Sequence, residues 1–240
     1  PDFINKDKSS LRTIVSSSAL LKTKKKKALI NSFSCDFHEC YGASEVGTVT
    51  NLSPKDAMNC PNSVGKVFGG INIIIRDENG DSVSTGEIGE ITVKSPTAFL
   101  GYYNLPEVTS LSVKNGYFYT GDLGYLDSDG FLYFSGRKKE MIITSGMNIY
   151  PVDIESVILA HPDVLDAAVF GIDDAVLGEA VVAAVVLKDK KQESMDKELR
   201  KWCRGKLLDY QKPLKFFFVD ALPKTSLGKI QRNKLKNYFQ

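Results

Sequence analysis

A chain of 240 residues, 42% hydrophobic and 25% charged, has the composition of an ordinary globular protein with enough apolar residues for one large domain or two small ones. Its 31 basic against 29 acidic side chains leave a formal charge of +2, too small a field to gather nucleic acid or an anionic membrane. Four cysteines without C-x-x-C spacing and only two histidines speak against a structural zinc, no apolar run reaches the roughly 20 residues that span a bilayer, and the expected setting is reducing and cytoplasmic.

Pro1 is not an initiating methionine, and the apolar pattern at Leu11, Ile14 and Val15 begins as though inside a fold, so an upstream segment is expected. A strand is predicted over 12–15, then a helix over 20–33 with Leu21, Ala28, Leu29 and Phe33 on one face and the lysines of 24–27 solvated on the other. No aromatic or arginine residue interleaves with those lysines, which disfavours a nucleic-acid patch. Cys35, His38 and Cys40 lie close in sequence, but a strand is expected to send them to different faces as buried residues.

From 64 to 134 the texture changes to short β-rich runs at 71–76, 87–94, 116–119 and 131–134, separated by Asn79-Gly80, Asn115-Gly116 and Asp129-Gly130. That pattern predicts a hairpin-built sheet or barrel. Beyond Arg137 a helix is predicted over 151–160, strands over 166–171 and 180–187, a helix over 194–208 and a strand over 216–219. Pro151 suits a first helical turn, and the unbroken apolar runs of 167–170 and 181–187 predict strands covered on both faces. The Gly- and Lys-containing stretch 225–229 predicts a mobile loop.

Four segments stand out: Tyr41-Gly-Ala-Ser-Glu45; Tyr119-Thr-Gly-Asp122; Gly136-Arg-Lys-Lys-Glu140 with Ser145-Gly-Met-Asn-Ile149; and Pro223-Lys-Thr-Ser-Leu-Gly-Lys-Ile-Gln-Arg232. Taken singly, they read as a capped turn with a surface glutamate, a surface arginine, a plain glycine turn and a solvated tail. In this order and spacing they resemble the adenylate-forming superfamily of acyl-CoA synthetases, luciferases and peptide-synthetase adenylation domains, over essentially the whole chain. The resemblance implies mixed α/β and α+β architecture. Residues 1–138 would form the end of a large AMP-binding domain, with a β-barrel-like subdomain over 41–138, and 139–240 a small mobile α+β domain carrying the catalytic lysine.

By the same resemblance, Ser44 hydrogen-bonds the α-phosphate of ATP, Gly42 lets the backbone come close, and Glu45 helps hold Mg²⁺, for which a carboxylate is a suitably hard ligand. Tyr41 stacks on the purine, and Asp122 accepts both ribose hydroxyls, its two oxygens meeting two donors. Arg137 adds a ribose or phosphate contact, and Lys139 is the hinge about which the small domain turns. Gly146 admits the pantetheine arm of CoA or is simply a turn. Lys229 carries an ammonium to the substrate carboxylate and α-phosphate. Lys224 and Arg232 are expected to be solvated or to meet CoA phosphates. The run Ser16-Ser-Ser-Ala19 departs from the family, placing serines where a Gly-rich stretch meets adenine.

The implied activity is an AMP-forming acid:CoA ligase acting on a carboxylic acid, with a fatty acid the first expectation. The alternatives are a carrier-protein-loading adenylation domain and a non-catalytic nucleotide-binding remnant. The family's upstream phosphate loop has no counterpart in these 240 residues, so the isolated chain is expected to be inactive.

Overall fold

Runs rich in β-branched and aromatic residues at both ends of the Tyr41-Gly segment build the first of three sheets in the computed structural model, which describes residues 7–19, 21, 23–189, 194–226 and 228–239. Its strand order is β1 (Thr13–Ser16), β2 (Asp36–Ala43), β3 (Gly47–Leu52) and β4 (Lys66–Val67). β1 and β2 are parallel and connected through α1 (Thr23–Ser32), whereas β2–β3 and β3–β4 are antiparallel.

The solvated-lysine expectation for α1 fails at one position. Lys26 is 1% exposed; it forms an ion pair with Glu39 and donates to the Pro61 carbonyl at 2.6 Å. Periodicity put the lysines outward, but a buried carboxylate on β2 gives this one a partner that sequence spacing cannot reveal. Ala28, expected on the apolar face, is exposed, while Leu29 and Ile30 pack beside Phe37 and Leu52. His38 and Cys40 also depart from expectation. Two residues apart on β2, they share a face, and both contact the Asn51 side chain on β3, at 3.0 and 3.7 Å.

The β-rich region forms a five-stranded sheet, β5 (Asn72–Arg76), β6 (Gly89–Lys94), β8 (Tyr117–Leu126) and β7 (Val113–Lys114) in order, with β9 (Leu132–Arg137) also pairing with β8. Short helices α2 (Pro54–Ala57) and α3 (Pro106–Ser112) each begin on a proline. Ile75, Ile91, Val93, Phe118 and Leu132 from this sheet join Val46 and Val49 in one buried cluster.

The described chain divides into compact units at Phe134/Ser135, a few residues before Lys139. The second unit holds a sheet ordered β11 (Met147–Ile149), β10 (Ile142–Thr144), β13 (Gly178–Leu187) and β12 (Val164–Asp174), with β14 (Lys215–Phe218) parallel to β13. Alternation along the central strands explains their unbroken apolar sequence. Ala167, Val169, Val181, Ala183 and Val185 face α4 (Pro151–Leu159) and α5 (Met195–Cys203), while Ala168, Phe170, Val182 and Ala184 face α6 (Arg232–Phe239). Helix α5 ends well short of the predicted 208, because Arg204 turns extended and Gly205 takes φ +76.

Candidate functional site

In the first unit the chain brings Tyr41 and Asp122 together from different sheets. Tyr41 lies on β2, Asp122 on β8, and the Tyr41 hydroxyl donates to Asp122 Oδ2 at 2.9 Å. Asp122 is only 6% exposed. A register break delivers it: the step from Glu90 to Thr92 on β6 faces the longer step from Leu123 back to Tyr119 on β8. The surplus residues bulge, with Gly121 at φ +69, and bulging re-aims a side chain out of the regular pleat. Side chains brace the bulge, since Gly121 N donates to Glu90 Oε1 at 3.1 Å and Asp122 N to Thr120 Oγ1 at 3.0 Å.

A second break lies between Tyr41 and Gly42, just before the turn that carries Ser44 and Glu45. A Cβ on Gly42 would stand 2.2 Å from the Gly47 carbonyl oxygen, so close approach of β2 and β3 itself demands glycine there. Ser44 is exposed in the turn, while Glu45 is half-buried. Its carbonyl accepts from Phe99 N at 2.7 Å, and its Oε1 accepts from the Tyr102 hydroxyl at 2.8 Å. Burial, and then the hydrogen bond to Glu45, raise the Tyr102 pKa above the ordinary phenol value. Sequence reasoning missed Tyr102; the aromatic pair Tyr102-Tyr103 in a loop rich in turn residues was the available signal.

The donor set around Glu45 fits Mg²⁺ of the kind that takes most of its ligands from phosphate oxygens and water, because one hard carboxylate suffices there. Among the described residues the only group arranged as a multi-residue metal site is His161, Asp163 and Glu198, where His161 Nδ1 already accepts from Asp163 N at 3.2 Å. Within the Ser16-Ser-Ser-Ala19 run, Ser18 takes φ +74, a left-handed backbone that glycine adopts more readily.

In the second unit Arg137 ends β9, half-buried, and Lys139 is exposed in a single 3₁₀ turn, Lys138–Glu140, whose end Met141 N closes on the Arg137 carbonyl at 3.1 Å. Ser145 and Gly146, at φ +49 and +77, form the two-residue turn between β10 and β11, a conformation that favours glycine. A Cβ on Gly146 would meet nothing within 4 Å, so the turn is open to whatever approaches it.

Lys229 is exposed, on a loop that is tighter than the mobile segment predicted. Thr225 N donates to the Lys229 carbonyl at 2.8 Å, Lys229 N to Thr225 Oγ1 at 3.1 Å, and Lys224 bridges Ile230. Leu227, within that segment, lies outside the described residues. Lys224 is exposed, as expected, with its Nζ 2.5 Å from Asp166 Oδ2, whereas Arg232 is 14% exposed between Glu140 and Glu155, which corrects the expectation of a solvated or CoA-facing charge there.

Comparison with known proteins matches residues 2–103 to the AMP-binding enzyme family and residues 153–229 to the AMP-binding enzyme C-terminal domain. An uncharacterized acyl–CoA ligase of Bacillus subtilis is 40% identical over 228 residues, covering 95% of this chain and 45% of its own length. A long-chain-fatty-acid–CoA ligase of the same organism is 36% identical over 236 residues, covering 98% and 42%. Among solved structures, o-succinylbenzoate CoA synthetase from Bacillus subtilis, in complex with its acyl-adenylate intermediate, is 35% identical with a TM-score of 0.86, covering 97% of this chain and 47% of that one. The amide bond synthetase from Marinactinospora thermotolerans is 32% identical with a TM-score of 0.93, covering 100% and 50%. The chain thus spans less than half the length of the curated relatives it matches.

Proposed function

The chain belongs to the AMP-binding enzyme family, and we propose that it supplies the ribose-binding carboxylate, the hinge and the catalytic lysine of an AMP-forming acid:CoA ligase. The observation that carries this reading is the Tyr41–Asp122 hydrogen bond. It fixes a nearly buried carboxylate beside an aromatic ring, the pair of groups a ribose and a purine require.

In this reading Asp122 accepts the ribose hydroxyls, Tyr41 offers its ring to the base, and Arg137 adds a cationic contact to ribose or phosphate. Ser44 donates to the α-phosphate. Mg²⁺, when bound at Glu45, would neutralise phosphate charge as pyrophosphate leaves. The substrate carboxylate attacks the α-phosphorus, forming the acyl-adenylate and releasing pyrophosphate, and the Lys229 ammonium stabilises the charge developing on the phosphoryl oxygens. Torsional change at Lys139 then presents the Gly146 turn for the second half-reaction, in which the CoA thiol attacks the acyl carbonyl and AMP departs.

A fatty acid remains the first proposal for the acid, on the general likeness to acyl-CoA synthetases; aryl and short-chain acids are the competing classes. The four cysteines, all unpaired, support a reducing, cytoplasmic setting, and no helix among the described residues is long and apolar enough to cross a membrane.

Titrating AMP into this chain tests the nucleotide part. Binding that disappears in Asp122→Ala supports the assignment, and binding indifferent to that change overturns it. Screening a panel of acids at the relatives' full length, reading AMP release with and without CoA, tests the reaction. Release that needs a carrier protein in place of CoA would favour a carrier-loading domain, and no release with any acid a nucleotide-binding remnant.

A further inference from the structure

Arg232 stands at the first turn of α6, three positions beyond Lys229, and its guanidinium is shared among three other elements. Nε donates to the Val169 carbonyl of β12 at 3.1 Å, Nη2 to Glu155 Oε1 of α4 at 2.7 Å, and Nη1 to Glu140 Oε2 at 2.6 Å. Glu155 is 7% exposed and also accepts from Val169 N at 2.8 Å. The contacts to Glu155 and Val169 join the packing of Leu235 and the ion pairs of Lys236 in seating α6 on the sheet. The contact to Glu140 does something else.

Glu140 closes the one-turn helix that contains Lys139, and none of the three residues of that turn is buried. Apolar packing therefore does not hold the turn. Glu140 is instead drawn against an arginine that already neutralises a buried carboxylate. Setting a second carboxylate there is electrostatically unfavourable toward Glu155, whose pKa is raised by desolvation first and by Glu140 among the smaller causes. That smaller repulsion is offset by the charge-assisted bond from Arg232 to Glu140, which anchors an otherwise superficial turn.

We propose that Arg232 is a positioning residue: held on α4 and β12 through Glu155 and the Val169 carbonyl, its guanidinium reaches Glu140 and so ties the turn bearing Lys139 to the start of α6, where the loop bearing Lys229 ends. The functional weight of this tie rests on the roles of Lys139 and Lys229 proposed above. The tie itself is tested without them. Met141 N, bonded to the Arg137 carbonyl, reports the turn; Thr225 N, bonded to the Lys229 carbonyl, reports the loop; Val182 and Ala184 in β13 report the unit as a whole.

Site-resolved amide hydrogen exchange on this chain reads all three. Glu140→Gln removes the carboxylate charge that faces Arg232 and leaves the Arg232–Glu155 pair, so protection at Met141 falls about tenfold, as loss of a hydrogen bond between charged groups implies, while Thr225, Val182 and Ala184 keep theirs. Arg232→Lys forfeits the planar fork, so protection falls at both Met141 and Thr225. Unchanged protection at Met141 in Glu140→Gln overturns the proposal, as does a parallel loss at Val182 and Ala184, which marks a merely structural ion pair. If Arg232→Lys does not fold, Glu140→Gln decides alone. Failure here would leave Lys139 and Lys229 to be judged by their own variants, and inert variants of those two would leave this tie standing.

Discussion

The hydroxyl of Tyr41 lies 2.9 Å from Oδ2 of Asp122, joining residues 81 positions apart in the chain. Tyr41→Phe keeps the ring and removes the donor, leaving a nearly buried carboxylate with one fewer partner. The expected stability loss is about 1 kcal/mol, at the low end for a buried acceptor deprived of a donor, and AMP binding weakens several-fold. Thermal unfolding and calorimetric titration check both. Wild-type affinity in Tyr41→Phe would remove the hydroxyl from any part in orienting Asp122.

Tyr102 holds one oxygen of Glu45, and its raised pKa extends its range as a donor into alkaline pH. In Tyr102→Phe the carboxylate loses that restraint. A several-fold higher Mg²⁺ concentration should then be needed for half-maximal MgATP binding, with binding of Mg²⁺-free AMP unaffected. An equal effect on both ligands would point to general disturbance of the loop instead.

Lys229 is exposed, so a substitution there should leave the unfolding temperature nearly unchanged while altering chemistry. At the relatives' full length, Lys229→Ala is expected to slow adenylate formation by about 10²-fold or more, the scale for losing one group that stabilises transition-state charge. Lys139→Pro is expected to spare adenylate formation and block thioester formation. Separate pyrophosphate-release and CoA-transfer assays distinguish the two, and equal loss of both half-reactions in Lys139→Pro would discard the hinge.

Lys236 anchors α6 to Asp173 at 2.9 Å and Glu179 at 3.2 Å, and the hydrogen bond to Asp173, followed by Glu179, raises its pKa above the ordinary 10.5. A lysine raised in the folded state contributes stability that is fully present below its unfolded value and lost as pH climbs through the folded one. The second unit should therefore lose a small increment of stability above about pH 10.5, and Lys236→Met should show less of that alkaline loss. Identical pH profiles would show that the contacts contribute nothing measurable, a common outcome for exposed pairs.

Much of the local structure was legible because it depends on neighbours in the chain. Unbroken apolar runs marked β12 and β13, Pro151 marked the start of α4, and Asn115-Gly116 and Ser145-Gly146 marked two-residue turns. The ordered motifs likewise announced the family. Lys26 and Arg232 were misread for one reason: each is a cation whose partners, Glu39 for one, Glu140 and Glu155 for the other, arrive from elsewhere in the fold. Hydrophobic periodicity assigns a charge to the solvent unless something remote claims it.

The sequence by itself determined which residue types were available for nucleotide chemistry, the order of the strands and helices that carry them, and the kinship those motifs announce. Only the tertiary structure decided that β8 bulges at Asp122, that Tyr41 and Tyr102 reach the carboxylates of Asp122 and Glu45, and that one arginine gathers Glu140 and Glu155. Backbone preferences and apolar periods act over a few residues and can be read along the chain. A hydrogen bond between side chains far apart in sequence exists only once packing has fixed both ends, and no local pattern records it.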